Sequence, residues 1–254
     1  MVNPHEPEYD VPMSFAPGSS ETSSGPISKG PISSDSASSN IDPDDPAIIQ
    51  LLAVLLAGEY AAFYRLIEES AMAPDVPSRI AIARMAASEI GHFDTLAERV
   101  GAHGIDPAQA VQQYGPVFDQ YHRSTTPKTW YEALVKAYVG DGLAADFYRE
   151  LAGVLPEGPQ AIVAEVMSET ASSEFAREQV NDAIRRDPAL RSPLTLWGRR
   201  LLGEAITHAQ WVLAAEESVT DLLFSGATSL QGVAHFFDSV ADSHTRRMAD
   251  LGLG

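Results

Sequence analysis

The chain has 254 residues, 44% of them hydrophobic, with no cysteine and a formal net charge of -18. That length is enough to bury one sizeable core, and the missing cysteines exclude disulfides and thiolate metal sites. The acidity, with a pI near 4.6, disfavours nonspecific binding to nucleic acid or to an anionic membrane. No stretch of about 20 apolar residues is read in the sequence, so no membrane span is expected. The start, Met1-Val2-Asn3-Pro4-His5-Glu6, has no apolar signal core, so a cytoplasmic protein is expected.

Residues 1–45 are rich in Ser, Pro, Gly and Asp, with eight acids against one base, Lys29. Such a segment buries too little apolar area to offset its ordering entropy, so it reads as a disordered acidic tail. From Pro46 the pattern becomes helical, and 46–254 reads as one helical domain. Asp44-Asp45-Pro46 supplies capping acids and a proline at a helix start. A first long helix is predicted from Ile48 to about Ala71, and Pro74 to Pro77 breaks it. A second runs from Ser78 to about Val100 and ends at Gly101-Ala102-His103-Gly104. Residues 105–126 read as a shorter helix and a loop. A third long helix spans Lys128 to about Gly153, followed by a turn at Pro156-Glu157-Gly158-Pro159. A fourth spans Gln160 to about Arg186, and Pro188 to Pro193 interrupts. The fifth and sixth run from Leu194 to about Leu223 and from Ser229 to about Leu251. No segment alternates in the manner of a strand, so the class is all-α. No repeat at a solenoid period is visible, which leaves an antiparallel bundle.

Polar residues interrupt the apolar faces of these helices. In the second helix Ile82, Met85, Glu89, His92 and Leu96 follow 3-4-3-4 spacing, which is one face. In the first, Leu52, Leu55, Glu59, Phe63 and Leu66 share a face. In the third, Leu134, Tyr138, Asp141, Ala145 and Tyr148 do so, and in the fourth Ile162, Glu165, Glu169, Ser172 and Ala176. A buried carboxylate is costly unless it is paired or bound to metal. Glu59 and Glu89 are 30 residues apart, and Asp141 and Glu169 are 28 apart. Each helix pair therefore offers a single acid, then an acid with a partner three residues on. This is the layout of ferritin-like di-iron carboxylate proteins. The expected architecture is a ferritin-like antiparallel four-helix bundle with two additional C-terminal helices. Carboxylates bridge two irons, and imidazoles complete each iron while leaving positions for dioxygen. The Glu-x-x-His motif is intact at Glu89 and His92. Its second copy reads Glu169-Thr170-Ala171-Ser172, with serine where histidine is expected.

Leu56-Ala57-Gly58-Glu59-Tyr60, Ala87-Ser88-Glu89-Ile90-Gly91-His92-Phe93 and Ala137-Tyr138-Val139-Gly140-Asp141-Gly142-Leu143-Ala144-Ala145-Asp146-Phe147-Tyr148 resemble the actinobacterial ferritin-like proteins grouped with MiaE-type tRNA hydroxylases. The resemblance covers roughly 46–254, including Leu196-Trp197-Gly198-Arg199-Arg200 and the ending from His244 to Leu253. It implies a non-haem di-iron monooxygenase with two irons. The related reaction hydroxylates the isopentenyl group of 2-methylthio-isopentenyl-adenosine in tRNA, using dioxygen and external electrons. By matched position, the implied ligands are Glu59, Glu89, His92, Asp141 and Glu169. The family pattern wants His at Ser172, so the alternative is a non-catalytic ferritin-like scaffold that acts through binding. The expected partners are a tRNA or small-molecule substrate and an external electron donor, with a homodimer as the candidate assembly.

Other residues have weaker claims. Glu204 and His208 form an i,i+4 pair that is either ordinary or a substitute for the missing ligand. Tyr60 and Tyr64 flank Glu59 and are expected to pack in the core or bond the site. Asp146, five residues past Asp141, points elsewhere, to the surface or to a supporting role. His235 and His244 read as structural. Arg185-Arg186, Arg199-Arg200 and Arg246-Arg247 are the candidates for a phosphate-binding patch.

Overall fold

Helix punctuation in this chain is mostly Asp followed by Pro. Asp45, Asp75 and Asp106 each accept a hydrogen bond from a first-turn N–H, at 2.8 to 2.9 Å from Ala47, Ser78 and Ala108. Each thereby satisfies a donor that has no partner inside the helix. The structure is a computed structural model that describes residues 41–166, 171–224 and 229–254. Among them are nine α-helices and no strand. These are α1 (Pro46–Glu69), α2 (Val76–Ala102), α3 (Pro107–Ser124), α4 (Trp130–Ala152), α5 (Glu157–Val166), α6 (Ala171–Arg186), α7 (Arg191–Ala215), α8 (Glu217–Phe224) and α9 (Ser229–Asp250).

The tail expected over 1–45 lies outside the described residues as far as residue 40. Residues 41–45 belong with the helices. Ile41 packs on the core, and Asp44 pairs with Arg99 at 2.8 Å and His103 at 2.9 Å near the end of α2.

The core bundle comprises α1 and α2, then α4 and the consecutive α5 and α6. Tyr148 meets Glu59 while Lys136 meets Glu69, so α1 and α4 run antiparallel. His92 meets Glu59 while Arg99 meets Asp44, so α1 and α2 do as well. The additional C-terminal helices are α7 with α8, and α9; α7 and α9 pack on α4, and α3 covers α1.

Three boundaries depart from the sequence expectation. The expected turn at Pro156 to Pro159 is instead the start of α5, because proline in a first turn gives up only an N–H that has no acceptor. The predicted fourth helix appears as α5 and α6, with 167–170 outside the described residues. The predicted fifth helix divides at Glu216. Gln50 of α1 donates to Glu216 and accepts from Ser218 at 2.9 Å, and Thr220 donates to the Leu213 carbonyl at 2.6 Å. These contacts hold the break, although neither Gly nor Pro marks it.

The expectation of no long apolar run is also corrected. Pro46–Met72 is long and apolar enough to cross a membrane by length and composition. It is a core helix: Leu52, Leu56 and Ala57 are fully buried, and α2 and α3 cover it.

The core falls into two apolar clusters. One gathers Leu66, Ile82, Met85, Leu134, Val180 and Leu201. The other gathers Leu52, Leu56, Leu96, Val100, Tyr148 and Val163. Along both α1 and α2 the polar residues singled out above lie in the seam between them.

Candidate metal centre

Glu59 sits on α1 three residues beyond Leu56 and is only 5% exposed. Its neighbours on α2 are Glu89 and His92, one helical turn apart and therefore on one face. Nδ1 of His92 lies 3.2 Å from Oε2 of Glu59 and 3.7 Å from Oε2 of Glu89. The far ring nitrogen, Nε2, lies 3.4 Å from the Ser88 hydroxyl. Ser88 thus turns the Nδ1 edge toward the carboxylates, as outer hydrogen bonds orient metal-binding imidazoles. Tyr148 of α4 donates its hydroxyl to Oε1 of Glu59.

The electrostatics are those of acids held without enough counter-charge. Burial pushes Glu89 up to about 8, helped by the neighbouring Glu59 and opposed by His92. Burial also pushes Asp141 up to about 6, with the charge of Glu89 adding to it. Burial pulls the His92 imidazole down, but hydrogen bonds to Glu59 and Glu89 outweigh it and lift the group to about 10. Burial and the adjacent Glu59 together hold the Tyr148 phenol well above its ordinary range. Metal-free, the cluster behaves as acids and a base sharing protons.

A bound cation would supply the missing charge, and the donor set suits one. Glu59, Glu89 and His92 offer ligand atoms that all lie within 4.8 Å of one another. Two ligands each about 2.1 Å from a shared ion stand at most about 4.2 Å apart, so the cluster needs only a slight contraction. Two carboxylates and an imidazole are ligands of the borderline-hard kind that iron accepts.

Asp141 does not join that group of three, but it lines the same cavity as Glu59, Glu89 and His92. Glu169 lies outside the described residues, and Ser172 falls at the start of α6. The face expected for the fourth helix differs within α5: Val163 and Val166 are buried and Glu165 is exposed. The core there takes residues one position away from those expected.

The other expectations resolve as follows. Tyr60 and Tyr64 are on the outside, Tyr64 at 54% exposure, and they stack on each other instead of bonding the site. Asp146 is buried rather than superficial, and it is held by Arg247 at 2.7 Å and Arg149 at 2.8 Å. His208 bonds the backbone carbonyl of Glu204, at 2.7 Å from Nδ1, not its carboxylate. His235 is exposed and His244 buried. Of the basic pairs, Arg247 turns inward to Asp146 and Gly142. Arg185 pairs with Asp182, and Arg200 bonds the Ser124 carbonyl and lies over Trp197.

Several buried polar residues carried no flag in the sequence. Lys136 and Glu69 form a buried ion pair at 2.7 Å. Lys136 interrupts Leu134-Val135-Lys136-Ala137, a signal of the same kind as Glu59. His122 is buried on α3, where no long apolar face marks it out.

Beside the cluster is a cavity of about 410 Å³ lined by α1, α2, α3, α4, α5, α7, α8 and α9. Most of its wall is apolar, with Leu51, Leu55, Phe118, Phe147, Leu213 and Phe236 among the lining residues. Concave apolar sites with a few convergent polar groups are the usual setting for small-molecule chemistry.

A family model described as a ferritin-like domain of actinomycetes matches residues 43–226. No curated protein matches the chain.

Proposed function

Since the chain belongs to the actinomycete ferritin-like domain family, we propose that it is an iron-dependent hydroxylase acting on an apolar group held in the cavity. Glu59, Glu89 and His92 would hold the iron, with Asp141 in the same cavity extending the site toward a second; Glu169, the remaining expected ligand, lies outside the described residues. The observation that carries this reading is three ligand atoms within 4.8 Å of one another, in the wall of a largely apolar cavity of about 410 Å³. Iron held there would supply dioxygen activation, and an external donor would provide the two electrons that reduce the second oxygen atom to water.

The residues of the chain have distinct tasks. Ser88 orients the His92 ring. Tyr148 engages one oxygen of Glu59 and leaves the other facing His92. The apolar wall excludes water and holds an aliphatic group against the carboxylates. A small molecule suits this chamber better than a tRNA. The chain is strongly acidic, and Arg185, Arg200 and Arg247 are engaged within it.

Elemental analysis after anaerobic ferrous loading tests the reading. The parent should retain one to two irons per chain, and Glu89→Ala should lose them. A parent that takes up no iron overturns it. That outcome would favour a second reading, a ferritin-like binding scaffold. Ser172 supports that alternative, as does the mutual pairing of Glu59, His92 and Tyr148.

A further inference from the structure

The cavity has a polar region that the carboxylate cluster does not use. His122 of α3 and His208 of α7 both line it, and both are nine-tenths buried, at 9% and 7% exposure. Nδ1 of His208 lies 2.7 Å from the Glu204 carbonyl, so it carries the ring proton. Nε2 is then an acceptor, and it has no hydrogen-bond partner among the described residues. Nδ1 of His122 has none among them either. Tyr121 makes edge contact with both rings, at centroid distances of 5.2 and 5.8 Å, so the two imidazoles flank one aromatic ring. Leaving a buried polar atom unpaired costs about 1–3 kcal/mol. Both atoms are closed off as the rings stand, but they belong to side chains that line one cavity, so a hydrogen-bonding ligand group would satisfy them once either ring turns toward it.

The surroundings select the charge of that group. Burial, with the charges of Lys136 and Arg65 behind it, keeps His122 well below the usual histidine range, so its ring is neutral. Neutral His122 presents Nδ1 as a donor in one of its two tautomers, and the bare Nε2 of His208 accepts, so the pair can offer one donor and one acceptor. Glu59, Glu89 and Asp141 share the cavity and oppose an anion. Lys136 and Arg65 stand near His122 and oppose a cation there. A hydroxyl, which donates and accepts at once, meets both nitrogens. The cavity volume of about 410 Å³ lies toward the small end of the roughly 300–1,000 Å³ typical of ligand pockets.

We propose that this cavity binds an uncharged amphiphile, an aliphatic chain ending in a hydroxyl, with the hydroxyl between His122 and His208 and the chain along the apolar wall. The proposal rests on the reading of the cavity as the substrate chamber, but its test needs no metal. Titration calorimetry on the full, metal-free chain compares n-decanol with n-decanoate and n-decylamine at neutral pH. The expected result is saturable one-to-one binding of n-decanol, at least about tenfold tighter than either charged analogue. His208→Phe should weaken n-decanol about tenfold while circular dichroism stays unchanged. His122→Phe reads the same prediction independently if His208→Phe does not fold. Ala209→Leu, which fills the cavity, should abolish binding. Absence of saturable binding by the parent overturns the proposal, as does equal affinity for n-decanoate, or n-decanol affinity unaltered in the folded histidine variants. A parent that binds n-decanol but no iron sinks the metal reading alone. A parent that binds iron but no n-decanol sinks this one alone.

Discussion

Tyr148 on α4 donates its hydroxyl to Glu59 on α1, across 89 residues of sequence. The phenol is buried among apolar side chains, and it is the contact by which the second helix pair reaches the carboxylates of the first. Replacing it with Phe leaves Oε1 of Glu59 buried without that donor. Tyr148→Phe should destabilise the metal-free chain by about 1–3 kcal/mol. The loss should shrink when ferrous iron is bound, because the cation then engages the carboxylate. Urea unfolding with and without iron measures both values, and equal losses would argue against Glu59 as a ligand.

The pH dependence follows from Glu89 and His92. Glu89 is raised from 4.5 to about 8 and His92 from 6.5 to about 10. Both groups hold protons in the folded state that the unfolded chain has released. The stability they contribute is therefore complete below about pH 4.5 for Glu89 and below about pH 6.5 for His92. It is lost as pH rises toward 8 and 10 respectively. Metal-free protein should lose melting temperature from these groups between pH 5 and 10, and metal uptake should strengthen over the same range as protons leave the ligands. Melting curves and metal titrations across that range give the two slopes, and slopes of the same sign would count against the site.

Lys136 and Glu69 pair at 2.7 Å with both side chains buried. Lys136→Met strands the carboxylate and should cost about 3–5 kcal/mol. Adding Glu69→Leu should recover most of it, because two apolar side chains avoid the desolvation of both charges. A double-mutant cycle in urea resolves the two effects.

Gly142 lies against the Arg247 guanidinium, and a Cβ at that position would overlap its Nε, Cδ and Cζ atoms. Gly142→Ala should therefore push Arg247 off Asp146 and cost about 1–3 kcal/mol. Arg247→Lys should recover part of the melting temperature in that background, since a thinner side chain clears the methyl group.

Ser172→His should increase the iron retained per chain after anaerobic loading relative to the parent, because it restores the second Glu-x-x-His pattern. Elemental analysis reads it directly, and an unchanged ratio would show that the serine is not what limits the site.

The sequence alone determined the all-helical class and placed Glu59, Glu89 and His92 on the helix faces that bring them together. Capping by Asp45 acts within one turn, and the 3-4 spacing that places Glu59, Glu89 and His92 on apolar faces is a property of single helices. Such local signals survive without knowledge of any partner. They misled only where tertiary contacts override them. At Glu216 the Gln50 contacts divide a helix. Along α5 the core takes Val163 and Val166 in place of the face carrying Glu165. Asp146 shows the same limit, since its burial depends on Arg247, 101 residues away.

Only the tertiary structure decided which polar residues meet. Tyr148 reaches Glu59, Arg247 reaches Asp146 and Lys136 reaches Glu69 because antiparallel helices bring distant positions level. The cavity, and the two histidines that line it, arise from eight helices packing around one space, and no single helix carries that information. A carboxylate on an apolar face announces a buried charge. What neutralises it is settled by the neighbour that packing delivers.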